Sequence, residues 1–225
     1  MLDARLRCVA RQVRPGSRLA DIGTDHAFLP VWLVENGVCP RAIASDLRPG
    51  PAAAARRTIE AAGLADRLEV RVGDGLSPLK AGEVDDIVMA GMGGETMAAI
   101  LDACSWAKDG RLHWVFQPMT RPQALRRTLL TQGFSILGEE VAAQGERLYV
   151  VLRARYDGTP PVTQEAAYYI GALPAKEGAA WLLGQSRHLR RQAAGLRHRG
   201  DREEAARLDG VAAQIERYVA RDDTT

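Results

Sequence analysis

Four short apolar runs, each ending on Gly or Asp, constrain this chain more than any other feature of it. They are Arg18–Ile22 before Gly23, Arg41–Ser45 before Asp46, Leu68–Val72 before Gly73-Asp74-Gly75, and Asp86–Ala90 before Gly91-Met92-Gly93-Gly94. Helical patterns stand between or after them at Phe28–Asn36, Pro51–Ala62 (closed by Gly63) and Glu95–Ala103. Alternation of this kind builds a parallel sheet with right-handed crossovers. A fifth strand, Leu112–Phe116, ends at Gln117-Pro118 and leads to a helix over Pro122–Gln132. Two more strands, Phe134–Val141 and Leu148–Ala154, follow with only Ala142–Arg147 between them. A strand pair without an intervening helix predicts one antiparallel strand at the end of the sheet.

In such a sheet the loops after the first four strands open on one edge, where open α/β folds bind ligands. The first of them, Asp21-Ile22-Gly23-Thr24-Asp25-His26, has one Gly and two acids. A dinucleotide would call for G-x-G-x-x-G there, with the pyrophosphate on the helix N-terminus. An acid at that place argues against a pyrophosphate and for a cationic ligand. Seven strands with a terminal antiparallel pair is, by fold analogy, the Rossmann-like sheet of class I methyltransferases, whose cofactor S-adenosyl-L-methionine carries a sulfonium. Each strand end then has a task. Asp21 anchors the ammonium and Gly23 lets the backbone approach the methionine portion. Asp46, about twenty residues after the Gly turn, accepts both ribose hydroxyls. Asp74 and Gly75 face the adenine; Gly91, Met92 and Gly93 border the methyl-transfer face. For any one of these aspartates alone, a helix N-cap is an equally good reading. Three at three successive strand ends, with a glycine turn at the fourth, are not readily explained that way.

Residues 2–14 read as a helix with Leu2, Leu6, Val9 and Val13 on one face and Arg7, Arg11 and Arg14 on another. That arginine stripe is either a solvated face or a phosphate contact. After Tyr156-Asp157-Gly158-Thr159-Pro160-Pro161, which is linker chemistry, only helical patterns follow: Gln164–Leu173, Lys176–His198 and Arg202–Ala220. Leu182, Leu189 and Leu196 recur every seven residues, and Leu208, Val211, Ile215 and Val219 every three or four. These predict an antiparallel coiled-coil hairpin turning at Gly200-Asp201. The chain thus divides into residues 1–156, the α/β unit, and residues 162–221, the helical one. Between positions 187 and 202 six arginines (Arg187, Arg190, Arg191, Arg197, Arg199 and Arg202) and two histidines face a single acid, Asp201. Such a tip is either solvated, part of a dimer seam, or a contact for a nucleic-acid backbone. The leucine seam closes within one chain or between two; a monomer is the preferred reading.

Net charge of +2 says little about partners. No apolar run approaches the roughly 18 residues of a membrane span, and no signal peptide opens the chain. Three scattered cysteines point to a reducing cytoplasm, and neither they nor the four histidines have metal-ligand spacing, so no metal is expected.

These residues together resemble the bacterial tRNA (adenine(22)-N1)-methyltransferases, the TrmK family. The carrying motifs are Asp21 through Pro30, Gly73-Asp74-Gly75-Leu76, Ala90-Gly91-Met92-Gly93-Gly94, Gln117-Pro118 with Leu125-Arg126, and the stretch from Glu139 and Glu140 to Tyr149. The resemblance covers essentially the whole chain. It implies methylation of N1 of an adenine in the tRNA D-loop region. The chain departs from the family at Met119, where Asn is usual; Asn can hydrogen-bond a base edge and Met cannot. N1 has a lone pair, so catalysis is alignment and electrostatics. Asp25 and His26, at the mouth of the first turn, are the catalytic candidates. A helix-start role bonding local backbone is the alternative for His26. Two other readings stay open: a methyltransferase of this fold acting on a small molecule or protein, and a cofactor- and RNA-binding module without turnover.

Overall fold

The computed structural model describes residues 2–221. Seven strands form one sheet in the order β3-β2-β1-β4-β5-β7-β6. β1 (Leu19–Ile22), β2 (Ala42–Asp46), β3 (Leu68–Val72), β4 (Asp86–Gly93) and β5 (His113–Thr120) run parallel. β7 (Arg147–Tyr156) lies antiparallel to both β5 and β6 (Phe134–Gln144). The antiparallel strand is therefore one place in from the edge, and β6 is the edge strand. The β6–β7 hairpin is also tighter than expected. Gln144 pairs with Arg147, so residues 142–147 are mostly strand and not loop.

Alternation along the buried strands assigns side chains to two cores. Leu19, Val88, Val115 and Val151 face α1 (Ala4–Gln12), α2 (Phe28–Glu35) and α3 (Pro49–Ala61). Their neighbours Ala20, Ile87, Met89, Trp114, Phe116 and Leu152 face α4 (Gly94–Asp102) and α5 (Pro122–Thr131). Asp3 caps α1, its carboxylate accepting from Leu6 N–H at 2.7 Å.

The C-terminal helices are α6 (Glu165–Ile170), α7 (Ala175–His198) and α8 (Arg202–Arg221). α7 and α8 pack as an antiparallel pair, closing Leu182, Leu189, Ala193, Leu208, Val211 and Ile215 against one another within a single chain. Val150 of β7 belongs to the same cluster, so the base of the hairpin sits on the sheet. The joint is polar as well as apolar. Arg126 of α5 and Glu139 of β6 have no side-chain exposure and form a bidentate ion pair. Arg126 also donates to the Tyr169 carbonyl at 2.8 Å and lies 5.0 Å from the Trp181 ring centroid. Glu139 accepts from Ala172 N–H at 3.3 Å. The motif residues Arg126 and Glu139 thus fasten the hairpin, while Leu125 belongs to the sheet core.

Candidate active site

The C-terminal ends of β1 to β5, with the start of α1, enclose a cleft of about 680 Å³. A slightly larger hollow, about 760 Å³, lies at the opposite end of the strands beside Arg41 and Arg67. It lacks the glycine turns that let a ligand approach backbone, so the chemistry belongs to the first cleft.

Its floor is built from turns that need glycine. Gly23 (φ 77°) and Thr24 both donate to the Ser45 carbonyl, at 2.8 and 2.9 Å, tying the β1 turn to the end of β2. A Cβ at Gly23 would stand 3.2 Å from Met92 Sδ. β4 and β5 run further than the sequence predicts, to Gly93 and Thr120. The pairing continues past a bulge at Gly91 (φ 86°). Gly94 opens α4 hard against the next turn: a Cβ there would sit 2.3 Å from the Arg121 carbonyl oxygen.

The acids fall into two classes. Asp21 is buried and, among the described residues, has no ion-pair partner. Burial raises its carboxyl to about 6; the charge of Asp46 adds to this, and a hydrogen bond from Thr24 opposes it. Asp46, also buried, ends β2 and accepts from Arg48 N–H at 2.8 Å. Asp74 and Asp25 are exposed. The turn from Thr24 to Ala27 is closed by Ala27 N–H donating to Thr24 Oγ1 at 3.2 Å, with Ala27 itself left-handed at φ 55°. That strained start of α2 puts Asp25 and His26 outward, 3.6 Å apart. His26 stacks on Phe28 with centroids 5.2 Å apart, and Phe28 is 56% exposed. So every strand-end residue singled out from sequence lines or floors the one cleft except Gly93, which stands just behind it.

The arginines fare differently. Arg14 is committed to Asp86, the fully buried first residue of β4, through Nε at 2.7 Å and backbone N–H at 2.8 Å. That is the end of the sheet opposite the cleft. Arg11 pairs with Glu140 at 2.9 Å, and Arg7 donates to the Leu2 carbonyl at 3.1 Å. On the hairpin Arg190 pairs with Glu216 at 2.7 Å and Arg197 with Asp209. Acids remote in sequence thus hold Arg11, Arg14, Arg190 and Arg197 in ion pairs. Arg187, Arg191 and Arg199 are exposed and have no ion pair among the described residues.

Arg5, which lines the cleft, and Gln117, buried beside it, have no role assigned from sequence. Gln117, fully buried, accepts through Oε1 from Gly91 N–H at 3.2 Å and from Arg5 Nη1 at 2.6 Å. Its Nε2 is 3.5 Å from Sδ of Met119, which is 41% exposed in the cleft wall. The signal for Arg5 was present: it is the one cation beside the apolar face Leu2–Leu6–Val9, turned away from the Arg7–Arg11–Arg14 stripe.

A sheet of this strand order with a glycine-floored, acid-lined cleft at its C-terminal edge defines a class I methyltransferase. The methyltransferase-domain family matches residues 2–152. The tRNA (adenine(22)-N(1))-methyltransferase of Bacillus subtilis (strain 168) is 35% identical over 189 residues, covering 81% of this chain and 78% of that protein. The crystal structure of the B. subtilis m1A22 tRNA methyltransferase TrmK superposes with a TM-score of 0.84 at 29% identity, covering 96% of this chain and 98% of that one. A putative tRNA (m1A22) methyltransferase from Streptococcus pneumoniae, in complex with S-adenosyl-L-methionine, gives 0.82 at 28% identity, covering 96% and 99%. This chain belongs to the tRNA (adenine(22)-N(1))-methyltransferase family. The cleft fits the cofactor of that family on its own chemistry. Asp21 is a buried carboxylate without a protein cation, and S-adenosylmethionine brings an ammonium and a sulfonium. No helix among the described residues is long and apolar enough to cross a membrane.

Proposed function

We propose that this chain, in the cytoplasm, transfers a methyl group from S-adenosylmethionine to N1 of an adenine in tRNA, position 22 of the D-loop region. The observation that carries the reading is the uncompensated, buried Asp21 beside Asp46 in a glycine-floored cleft. It is a seat for a ligand that carries its own positive charge. Residues 1–156 form the methyltransferase domain and residues 162–221 a helical appendage.

Asp21 takes the ammonium, Asp46 the two ribose hydroxyls, and Asp74 with Gly75 the adenine. Gly23, Gly91, Met92 and Gly93 keep the reacting face open. S-adenosylmethionine, when bound, supplies a methyl group already activated on sulfur. Adenine N1 presents a lone pair, so the chain removes no proton before attack. N1 lies on the Watson–Crick edge, so the base arrives unpaired. The chain then has to hold it in line and stabilise the positive charge that grows on the ring. Asp25 accepts from the exocyclic amine, and the His26–Phe28 pair offers an aromatic face at the mouth.

Tritiated cofactor and unmodified tRNA test the proposal directly: label is expected in tRNA, at adenine N1. Cofactor binding without label in RNA would leave the non-catalytic reading standing, and label in another acceptor the small-molecule or protein one. The RNA contacts proposed are Arg187, Arg191 and Arg199 on the hairpin and Arg7 on α1. Replacing Arg187 and Arg191 with Glu is expected to weaken tRNA binding about tenfold or more and to reduce the log–log salt slope by about two. Cofactor affinity stays unchanged in that variant. An unaltered salt slope removes the hairpin from the RNA site.

Asp21 gives the cofactor site a pH dependence. Its carboxyl is raised in the folded state, so in the ligand-free protein it favours folding below the ordinary carboxylate range, and that contribution is lost as pH rises through about 6. The ammonium needs the ionised form, so the effect on binding has the opposite sign. Cofactor affinity is full above about pH 6 and falls towards tenfold per unit below it. Titration calorimetry from pH 5 to 8 checks this; Asp21→Asn should be weak and flat, and a flat wild-type profile rejects the assignment.

A further inference from the structure

At the end of the sheet away from the cleft, the residues just before β1, β2 and β3 are all arginines: Arg18, Arg41 and Arg67. Register sets them side by side. Leu19 stands opposite Ala42, and Ala42 opposite Leu68. The ladder reaches one step further, Leu19 N–H donating to the Arg41 carbonyl at 3.3 Å and Ala42 N–H to the Arg67 carbonyl at 3.0 Å. Neighbouring strands lie about 4.8 Å apart, so the three side chains start within about 10 Å of one another. Like charges placed opposite each other on adjacent strands are destabilising. One of the three is answered: Asp85, just before β4 in the same row, accepts from Arg18 Nε at 2.9 Å and Nη2 at 2.8 Å. Arg41 and Arg67 are exposed and have no ion pair among the described residues.

Both border the hollow of about 760 Å³ already noted at this end of the strands. Arg56 of α3 joins them there, also without an acid; its Nη2 is 3.4 Å from the Val70 carbonyl. The nearby acids are engaged elsewhere or stand apart. Glu69 and Glu83 both hold Arg71, at 2.8 and 2.6 Å from its Nη2, and Glu60 and Asp66 on the rim pair with no guanidinium. The hollow has the size of a small-molecule site, roughly 300–1,000 Å³. No aromatic ring among the described residues lines it, so it offers a base no stacking surface. What it offers is positive charge spread along a row. A single tetrahedral anion meets one or two such forks, whereas linked phosphates meet all of them. RNA also carries linked phosphates, but a tRNA with its adenine in the cleft lies against the C-terminal strand ends, and this hollow faces the other way. We propose that Arg41, Arg67 and Arg56 form a second binding site, separate from the methyl-transfer cleft, for a small linear oligophosphate, either inorganic or carried by a nucleotide.

Inorganic tripolyphosphate is the probe and sulfate the single-anion control, both titrated by calorimetry at moderate salt. The wild type is expected to bind one tripolyphosphate at this site, at least about tenfold more tightly than sulfate. Arg41→Gln combined with Arg67→Gln should weaken tripolyphosphate about tenfold or more. Arg187→Glu with Arg191→Glu should leave that affinity unchanged, which separates the row from the basic hairpin. Both replaced side chains of the Gln variant are exposed, so it is expected to fold, and at low salt to melt no lower than wild type because a repulsion has gone. Tripolyphosphate at a hundredfold excess over its dissociation constant should raise the wild-type melting temperature by about 5–10 °C. ATP binding within about tenfold of tripolyphosphate supports the site with a nucleotide as its ligand; exclusion of ATP supports it with the inorganic chain. Failure of the wild type to bind tripolyphosphate overturns the proposal, as does equal affinity for sulfate or binding that survives in the Gln variant. A several-fold loss of tRNA affinity in the Gln variant gives the row to the RNA backbone and overturns it too.

Discussion

Replacing Asp46 with Ala lowers the affinity for S-adenosylmethionine at least about a hundredfold and leaves tRNA binding within about twofold of wild type. The expectation follows from the place of Asp46 at the end of β2, buried and level with the Gly23 turn. One carboxylate accepts two hydroxyls there, each charge-assisted bond contributing about 1.5–3 kcal/mol. Two effects work alongside the loss. Arg48 N–H loses its 2.8 Å acceptor, which loosens the start of α3. Asp21 loses a like charge nearby and ionises more readily, which favours the ammonium and opposes the loss slightly. Asp46→Asn separates these. It retains an acceptor for Arg48 N–H but has no charge to offer the ribose, so its affinity falls between those of the wild type and the Ala variant. Calorimetry with S-adenosylmethionine and a gel-shift titration with tRNA measure both sides. An Ala variant within threefold of wild type for the cofactor removes Asp46 from the ribose site.

The parts of this molecule that could be read from sequence are those whose cause is local. A strand that ends at Gly23 or Gly91 does so because the next backbone conformation excludes most other residues, and that is written in the residue itself. Membership of Asp21, Asp46, Asp74 and Gly91 in one cleft follows from strand order alone, since parallel strands bring their C-terminal ends to one edge. What could not be read is pairing across the fold. The six arginines between positions 187 and 202 looked unopposed because only Asp201 is near in sequence. Asp209 and Glu216 oppose two of them, Arg190 and Arg197, from α8, which no count along one helix includes. Arg14 reaches Asp86 across 72 positions, and Arg5 reaches Gln117 across 112. β4 ran past its predicted end because pairing with β5 resumes at Met92 beyond the bulged Gly91, a property of the partner strand and not of Gly91-Met92-Gly93. The resemblance drew attention to Arg126 and Glu139 without giving their role. It appears only when α6 and α7 are in place: the Tyr168 and Tyr169 carbonyls and the Trp181 ring complete the shell around the guanidinium.

Breaking that shell has the second large effect. Arg126→Met is expected to destabilise the protein by about 3–5 kcal/mol, because it leaves the Glu139 carboxylate buried without a cation. For a chain of this size that corresponds to a fall in melting temperature of about 6–20 °C. Volume loss does not explain it, since Met fills much of the space that the Arg stem occupied. The double variant Arg126→Met with Glu139→Leu discriminates. If the cost lies in the orphaned charge, removing the charge restores at least half of the lost stability, as replacement of a buried ion pair by packed apolar groups is often neutral or better. The carbonyls of Tyr168 and Tyr169 stay unpaired in both variants, which sets a limit on the recovery. The damage should also have a location. Arg126 and Glu139 fasten α5 and β6 to the α6–α7 junction and touch no cleft residue. Limited proteolysis of Arg126→Met should therefore cut first between β7 and α7, and cofactor affinity measured well below the melting point should stay near wild type. tRNA affinity should fall, because Arg187 and Arg191 stand on a hairpin whose base is no longer fixed. A double variant as unstable as the single one, or cleavage that begins inside the sheet, contradicts the account of this pair as the clasp of the C-terminal hairpin.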